Sequence, residues 1–413
     1  MMSQPTDQPC AITAGQPSSR SGHWGGVLAM TLCVFALIAS EFMPISLLTP
    51  LATDLHVSEG AAGQGIAISG AFAVLTSLSI TWLAGSIDRK APLLVLTGLM
   101  AISGAVVALA PSFTLYMVGR ALLGVVIGDI WSMSAATAMR LVPDDQVPEA
   151  LAMFNGGNAL ATVIAAPLGS YLDSVVGWRG TFFCLVPLAV IALAWQWLAL
   201  PSMKAPVRKS PAPSTFGLLG TRPVAFGMAA CGAFFMGQFA LFTYLRPFLE
   251  TVTLVDATTL SLILLVIGAA GLSGTLLIGA LLKKGLYRTL ITIAVLMAMI
   301  ALALIPVGRW VVPVGILLGL WGLMATAAPV GWWNWIAQAM PNDAEAGGGL
   351  MVAVVQLAIA SGSALGGWLF DRSGYQSTIT ASAAILLLGA ALAVLAMRAQ
   401  RGRPGRCGRP QDE

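Results

Sequence analysis

Apolar runs about 20 residues long alternate along the chain with short polar joints containing Gly, Pro, Asp or basic residues. Wound as a helix at about 1.5 Å per residue, each run spans roughly the 30 Å of a bilayer's hydrocarbon. The pattern predicts twelve such helices, at 24–48, 60–84, 92–110, 113–138, 150–172, 180–200, 223–248, 257–282, 288–307, 311–338, 348–370 and 376–397. The first 22 residues, rich in Gln, Pro, Ser and Thr, have no apolar core, so they read as a polar tail and not as a cleaved signal.

Composition agrees. Of 413 residues, 57% are hydrophobic and 9% charged, with a mean hydropathy of +0.86, against roughly 25% charged in a soluble globular domain. The basic residues then set an orientation. With the N-terminus in the cytoplasm, Arg20, Arg89, Lys90, Arg140, Lys204, Arg208, Lys209, Arg222, Lys283, Lys284, Arg288 and the tail arginines 398, 401, 403, 406 and 409 lie inside. Arg179, Arg246, Arg309 and Arg372 fall outside, and Arg120 is left within a span. Both termini are thus expected to be cytoplasmic, in a bacterial inner (plasma) membrane. The net charge of +4 is accounted for by topology and anionic lipid, so nucleic acid is not called for as a partner.

Five cysteines (Cys10, Cys33, Cys184, Cys231, Cys407) lack paired spacing, and two histidines do not build a metal cluster with them. The sequence contains no phosphate-binding Gly-rich loop ending in Lys-Ser or Lys-Thr and no His-Glu-x-x-His helix. No metal, cofactor or enzymatic chemistry is expected, and ATP-driven pumping by this chain alone is not indicated.

The chain repeats itself. "APLGSYLDSVVGW" (166–178) aligns with "SALGGWLFDRSGY" (363–375), pairing Leu168 with Leu365, Gly169 with Gly366, Leu172 with Leu369 and Gly177 with Gly374 at an offset of 197. Pro50 falls on Pro247 at the same offset and Pro143 on Pro341 at 198. Matches in chain order at near-constant spacing argue for two six-helix halves running parallel. The expected organisation is a polar cytoplasmic tail (1–23), a six-helix bundle (24–200), a Pro-, Ser- and Lys/Arg-rich cytoplasmic linker (201–222), a second bundle (223–397) and a basic tail (398–413). Two such bundles leave a seam at mid-membrane that rocking can open to either side.

Ionisable side chains inside the spans carry the candidate chemistry, because a charged, unpaired group in hydrocarbon costs several kcal/mol. Glu41 lies roughly 25 Å along the first helix from Trp24. It reads either as a site that exchanges protons with a cavity, or as a carboxylate paired to Arg or hydrogen-bonded to a neighbouring helix, with Pro44 opening the backbone nearby. Asp129 sits nine residues after Arg120, about 900° round the helix, so the two project oppositely. It is either a second protonatable group or a neutral acid bonded to Ser132 or Ser134. Trp332 and Trp335 share a face with Asn334 alongside, and Gln238 shares one with Phe242, with Tyr244 beyond. Such rings stack on a flat cargo and amides read its edges, or they form an interfacial belt or part of the core. Trp131, Asn155, Asn158 and Gln356 are further binding candidates.

Gly85, Asp88 and Arg89 resemble the gating loop between helices 2 and 3 of the major facilitator superfamily, and Arg120 with Gly124 and Gly128 its helix-4 motif. Pro167 and Gly169 lie where its drug:proton antiporter branch carries a Gly-Pro-rich helix 5. Segments such as "EFMPISLLTPLATDLHVSEGAAGQ", "GRALLGVVIGDIWSMSAATAMRLVP" and "VGWWNWI" are similar to the bacterial purine ribonucleoside efflux pumps within it. The resemblance implies an all-α membrane protein of twelve transmembrane helices exporting inosine, adenosine, guanosine or analogues in exchange for protons, with Arg120 in proton-linked antiport. The residues alone also allow Arg120 as a structural tie to polar groups of helix 1 or 5, with Gly124 and Gly128 permitting close packing. Related branches that export drugs or sugars are the alternative. The implied partners are a nucleoside-like solute, protons and lipid, and the implied state is a monomer.

Overall fold

The computed structural model describes residues 23–83, 88–143, 146–203, 220–340 and 344–401. Among these there are helices and connecting turns, and no strand. In the first half of the chain they are α1 (Trp24–Ser46), α2 (Leu48–Asp54), α3 (Glu59–Leu83), α4 (Lys90–Ala108), α5 (Phe113–Leu141) and α6 (Val147–Ala199). The second half supplies α7 (Arg222–Phe242), α8 (Leu245–Thr251), α9 (Ala257–Lys284), α10 (Leu286–Val307), α11 (Val311–Ala339), α12 (Ala344–Ser373) and α13 (Tyr375–Arg401).

Among the described residues, ten segments are long and apolar enough to cross a membrane. With 53 residues, α6 would be about 80 Å long if straight. It doubles back instead at Gly177, whose φ of 72° an L side chain would resist, and so it crosses twice. α3 packs between α5 and α12 and completes the twelve crossings expected from the sequence. The spans predicted at 150–172 and 180–200 are the two legs of α6, and those at 24–48 and 223–248 are each broken near their far end to give α2 and α8.

The repeat is written into the backbone. α2 and α8 are both seven residues long and begin 197 positions apart. Each is followed by a non-glycine residue with positive φ, His56 at 53° and Leu254 at 58°, and the turns at Gly177 and Gly374 have φ of 72° and 76°. Such conformations are uncommon outside glycine, so their recurrence at matching positions marks one plan used twice.

In the first half α1 packs on α6, α3 on α5, and α4 on both α5 and α6; in the second, α7 packs on α12 and α13, α9 on α11, and α10 on α11 and α13. The seam between the halves is built from α3 against α12 and α6 against α9. Small residues set the approach distances. A Cβ on Gly124 would meet the Ser69 carbonyl and come within 2.8 Å of the Phe72 Cβ, and one on Gly128 would meet the Ala73 carbonyl, so α5 lies directly on the α3 backbone. The tail 1–22, the linker core 204–219 and the residues 402–413 lie outside the described residues.

Candidate functional site

A small cavity of about 80 Å³ lies in the seam, below the range of roughly 300–1,000 Å³ usual for small-molecule sites. Phe42 of α1 and Thr162 and Ala166 of α6 line it from the first half; Gln238, Phe239 and Phe242 of α7, Leu264, Ile267 and Gly268 of α9, and Trp321 and Thr326 of α11 line it from the second. Phe42 stacks across the seam on Phe239 with ring centroids 6.0 Å apart and planes at 23°. Phe239 in turn meets Phe242 edge-on at 6.1 Å. The walls are thus flat and apolar, with few polar groups.

Beside it, the residue preceding Phe42 carries a carboxylate across the seam. Glu41 is 6% exposed, and its Oε1 accepts a hydrogen bond of 3.3 Å from Nε2 of Gln356 on α12. Arg120 is 1% exposed, and its guanidinium partners among the described residues are backbone carbonyls. Its Nη1 donates to Ser40 O at 2.8 Å, its Nη2 to Glu41 O at 3.4 Å and its Nε to Gly65 O at 3.1 Å, while Ser69 Oγ donates to the carbonyl of Arg120 at 2.8 Å. The sequence explains why Ser40 O is free. Its helical donor would be the N–H of residue 44, which is Pro44. Proline vacates a carbonyl in hydrocarbon, and the guanidinium fills it. Arg120 therefore ties α5 to α1 and α3, and no ion pair joins it to the Glu41 or Asp129 carboxylate among the described residues. Asp129 is 6% exposed, and its Oδ1 has no hydrogen-bond partner among the described residues. The side chains of Ser132, Ser134 and Trp131 lie outside the described residues.

Toward α2 and α8 the seam is closed. Arg246 of α8, 7% exposed, reaches Asp173 of α6 at 3.1 Å, Glu250 of its own helix at 2.7 Å, and the carbonyl of Ser46 at the end of α1. The last is a second vacated acceptor, since position 50 is also proline. Tyr244 donates its hydroxyl proton to Ser363 O (2.8 Å), lies 3.4 Å from Gly60 O, and stacks on Phe370 at 5.5 Å. Asp371 of α12 accepts from Gly60 N at 3.0 Å and from Ser58 Oγ at 2.6 Å, and Ser58 Oγ itself accepts from Ala61 N at 3.0 Å. Two of the unsatisfied N–H groups at the start of α3 are thereby met, one by a residue of the other half. Arg179, bonded to Asp54 and to Ala110 O, belongs to the same end.

The remaining sequence candidates separate. Gln238 and Phe242 line the cavity, whereas Tyr244 is spent at the closed end. Trp332 and Trp335 lie in the core of the second half, edge-on at 6.0 Å, and Trp335 Nε1 donates to Tyr287 Oη at 2.8 Å. Asn334 is exposed and accepts from Gln338 of its own helix at 2.7 Å; Asn155 is exposed and donates to Leu151 O at 2.9 Å; Asn158 is half-buried. Gly85 lies outside the described residues. Asp88 folds back on the start of the linker, accepting from Ser202 Oγ, Met203 N (2.8 Å) and Lys90 N (3.0 Å), while Lys90 Nζ caps the end of α6 at Trp197 O and Leu200 O. The Ser202 hydroxyl first, and then the two backbone N–H groups, hold the Asp88 carboxyl below its ordinary range. Trp321, Phe42, Arg246 and Asp371 were not singled out by sequence. Arg246 alone carried a signal, as a cation next to Pro247 in the repeated "LRPFLET" segment.

A family model described as Major Facilitator Superfamily matches residues 30–362. The chain belongs to the major facilitator superfamily. It is accordingly a multi-pass membrane transporter. Among relatives of this superfamily member, the transcription regulatory protein OpdE of Pseudomonas aeruginosa is 62% identical over 390 residues, 94% of this chain and 97% of its own length. The purine ribonucleoside efflux pump NepI of Salmonella typhimurium is 38% identical over 376 residues, 91% and 94% of the two chains. Solved structures share the major facilitator fold. A bacterial homologue of the human lysosomal transporter Spinster, in an inward-facing and unoccupied conformation, superposes with a TM-score of 0.76 at 16% identity, over 94% of this chain and 100% of that one. A D-xylose-proton symporter gives 0.72 at 15% identity, over 90% and 97%.

Proposed function

We propose that this chain exports purine ribonucleosides (inosine, adenosine, guanosine and analogues) in exchange for protons by alternating access. The observation that carries it is the seam itself: a cavity with flat aromatic walls is lined by Phe42, and the carboxylate of the adjoining residue, Glu41, bonds across the two halves. The 38% identity to a purine ribonucleoside efflux pump supports the choice of cargo. In this scheme both termini face the cytoplasm of a bacterial inner membrane, and the closed end built on α2 and α8 faces away from it. Nucleoside enters from the cytoplasmic side and lies against Phe42, Phe239 and Phe242.

Glu41 is the proton carrier. A carboxylate accepts a bond from Gln356 in either form, but only the neutral acid adds an O–H of its own, so gaining or losing the proton changes what it offers to α12. Arg120 holds the Ser40–Glu41 backbone in place during the exchange, and Asp129 is the second group able to carry a proton. The loop at Asp88 and Arg89 anchors the linker on its own half as the halves rock.

Inside-out vesicles with an acid interior test the proposal. Labelled inosine, a sugar and a cationic dye are offered outside; accumulation of inosine alone is expected, and accumulation of the sugar or dye instead favours the drug- or sugar-exporting alternative. A different reading is favoured by the 62% identical relative named as a transcription regulatory protein: a membrane sensor that binds its solute without moving it. It predicts saturable nucleoside binding with no flux under any gradient.

A further inference from the structure

Four polar side chains line the cavity: Thr162, Gln238, Trp321 and Thr326. Two are spent on their own surroundings. Thr162 Oγ1 donates to Asn158 O at 2.9 Å, and Thr326 Oγ1 lies against the carbonyls of Gly271 and Gly322. The other two are not. Trp321 is fully buried and its indole N–H has no hydrogen-bond partner among the described residues; Gln238 is 8% exposed and its side-chain carbonyl has none among them either. Buried polar groups in proteins are nearly always satisfied, by protein, by water or by a ligand.

We infer that Trp321 and Gln238 determine specificity in this cavity, Trp321 by donating to an aromatic ring nitrogen of the cargo and Gln238 by pairing with the base edge that varies between purines. The inference rests on the transport reading above and names what that site discriminates. An indole N–H is a donor only, fixed in the ring plane, so it demands an acceptor in the plane of whatever stacks on the neighbouring phenylalanines. A cation leaves it unpaired. A primary amide, by contrast, presents its oxygen or its NH₂ by turning over, and so complements both the lactam edge of inosine or guanosine and the amino edge of adenosine. One rigid donor for the feature the purines share, and one reversible amide for the feature they do not, gives a site that is broad among purines and closed to dyes and sugars.

The test uses the full chain in inside-out vesicles and compares uptake of inosine with that of its 7-deaza and 3-deaza analogues, each lacking one ring nitrogen. One analogue is expected to be carried about tenfold less well by the unaltered protein, the cost of one unmade buried hydrogen bond. In Trp321→Phe, which keeps a ring but loses the donor, that gap closes. Equal uptake of all three by the unaltered protein, meaning that water satisfies the indole, overturns the inference, and so does an undiminished gap in the variant. If Trp321→Phe carries nothing, Gln238→Met decides: the unaltered protein's preference for inosine over purine riboside, which lacks the 6-oxygen, must disappear, and its persistence overturns the inference. Total loss of flux in both variants also counts against it, since a reading pair sets choice and not competence. No nucleoside flux by the unaltered protein sinks the transport reading itself, whereas flux with the wrong discrimination sinks only this inference.

Discussion

Arg246→Met tests the closed end. Three carbonyl or carboxylate partners surround the guanidinium, and side-chain exposures of 8% for Arg246, 12% for Asp173 and 24% for Glu250 place the pairs mostly out of water. Only the bonds to Asp173 and Ser46 O cross the seam; the one to Glu250 runs i to i+4 along α8 and survives opening. Removing one partner of a buried pair costs about 3–5 kcal/mol, because the other charge stays behind. Partial exposure argues for the lower figure, roughly 3 kcal/mol. Opening admits water to Asp173 and to the Ser46 carbonyl, so this cost is borne by the closed state alone. At 1.4 kcal/mol per factor of ten, the equilibrium shifts toward the opened form by about a hundredfold. Spin labels at Thr53 on α2 and Thr251 on α8, both exposed, report the change as a second, longer distance in the dipolar spectrum. Adding Asp173→Asn neutralises the stranded carboxylate and returns part of the short-distance population. A distance distribution in Arg246→Met identical to that of the unaltered protein would refute the reasoning.

Glu41→Gln keeps a bond to Gln356 but cannot exchange a proton, so nucleoside should still bind and equilibrate while gradient-driven accumulation in inside-out vesicles falls to the ungated level; retained accumulation removes Glu41 from coupling. Gly128→Val drives its side chain onto the Ala73 carbonyl, with Ser77 N 3.0 Å from the new Cβ, and overpacking of this kind costs about 1–3 kcal/mol, visible as a lower melting temperature in detergent. For Asp88, the folded carboxyl is held below the ordinary 3.8, so its contribution is present above pH 3.8 and is lost as pH falls through the lower folded value. The melting temperatures of the unaltered protein and Asp88→Asn should therefore differ most near neutrality and converge as pH falls through the lowered folded value; an offset that stays constant as the solution is acidified refutes the assignment.

The twelve crossings were legible because hydrocarbon imposes one length on every span, and the repeat because duplicated turns keep their glycines and prolines: the sequence pairs Gly177 with Gly374 and Pro50 with Pro247, and the backbone matches at both pairs. The site was legible in part. Glu41, Gln238, Phe242 and Gln356 stood out as polar or aromatic exceptions, and they do gather at the seam. Trp321 did not, since "LGLWGLMA" has no local irregularity and an unpaired indole N–H is a property of packing. Trp332 and Trp335 read equally as a stacking pair or as belt or core residues, because their spacing is visible in the sequence and the packing around them is not. Arg246 could be placed near one membrane face by its charge, whereas its tie to Asp173, 73 positions earlier, depends on how the halves meet.

The cap that Asp371 lends to α3 has a consequence of its own. A helix whose first peptide groups are completed by a side chain from across the seam ends differently in each arrangement of the two halves. When they part there, the Gly60 amide must find water or unwind a turn, and when they meet again that water must be expelled. Each transport cycle is then also a cycle of wetting and drying at a helix terminus, and agents that withdraw water from peptide surfaces, such as sucrose, should favour the dry arrangement without touching the cargo.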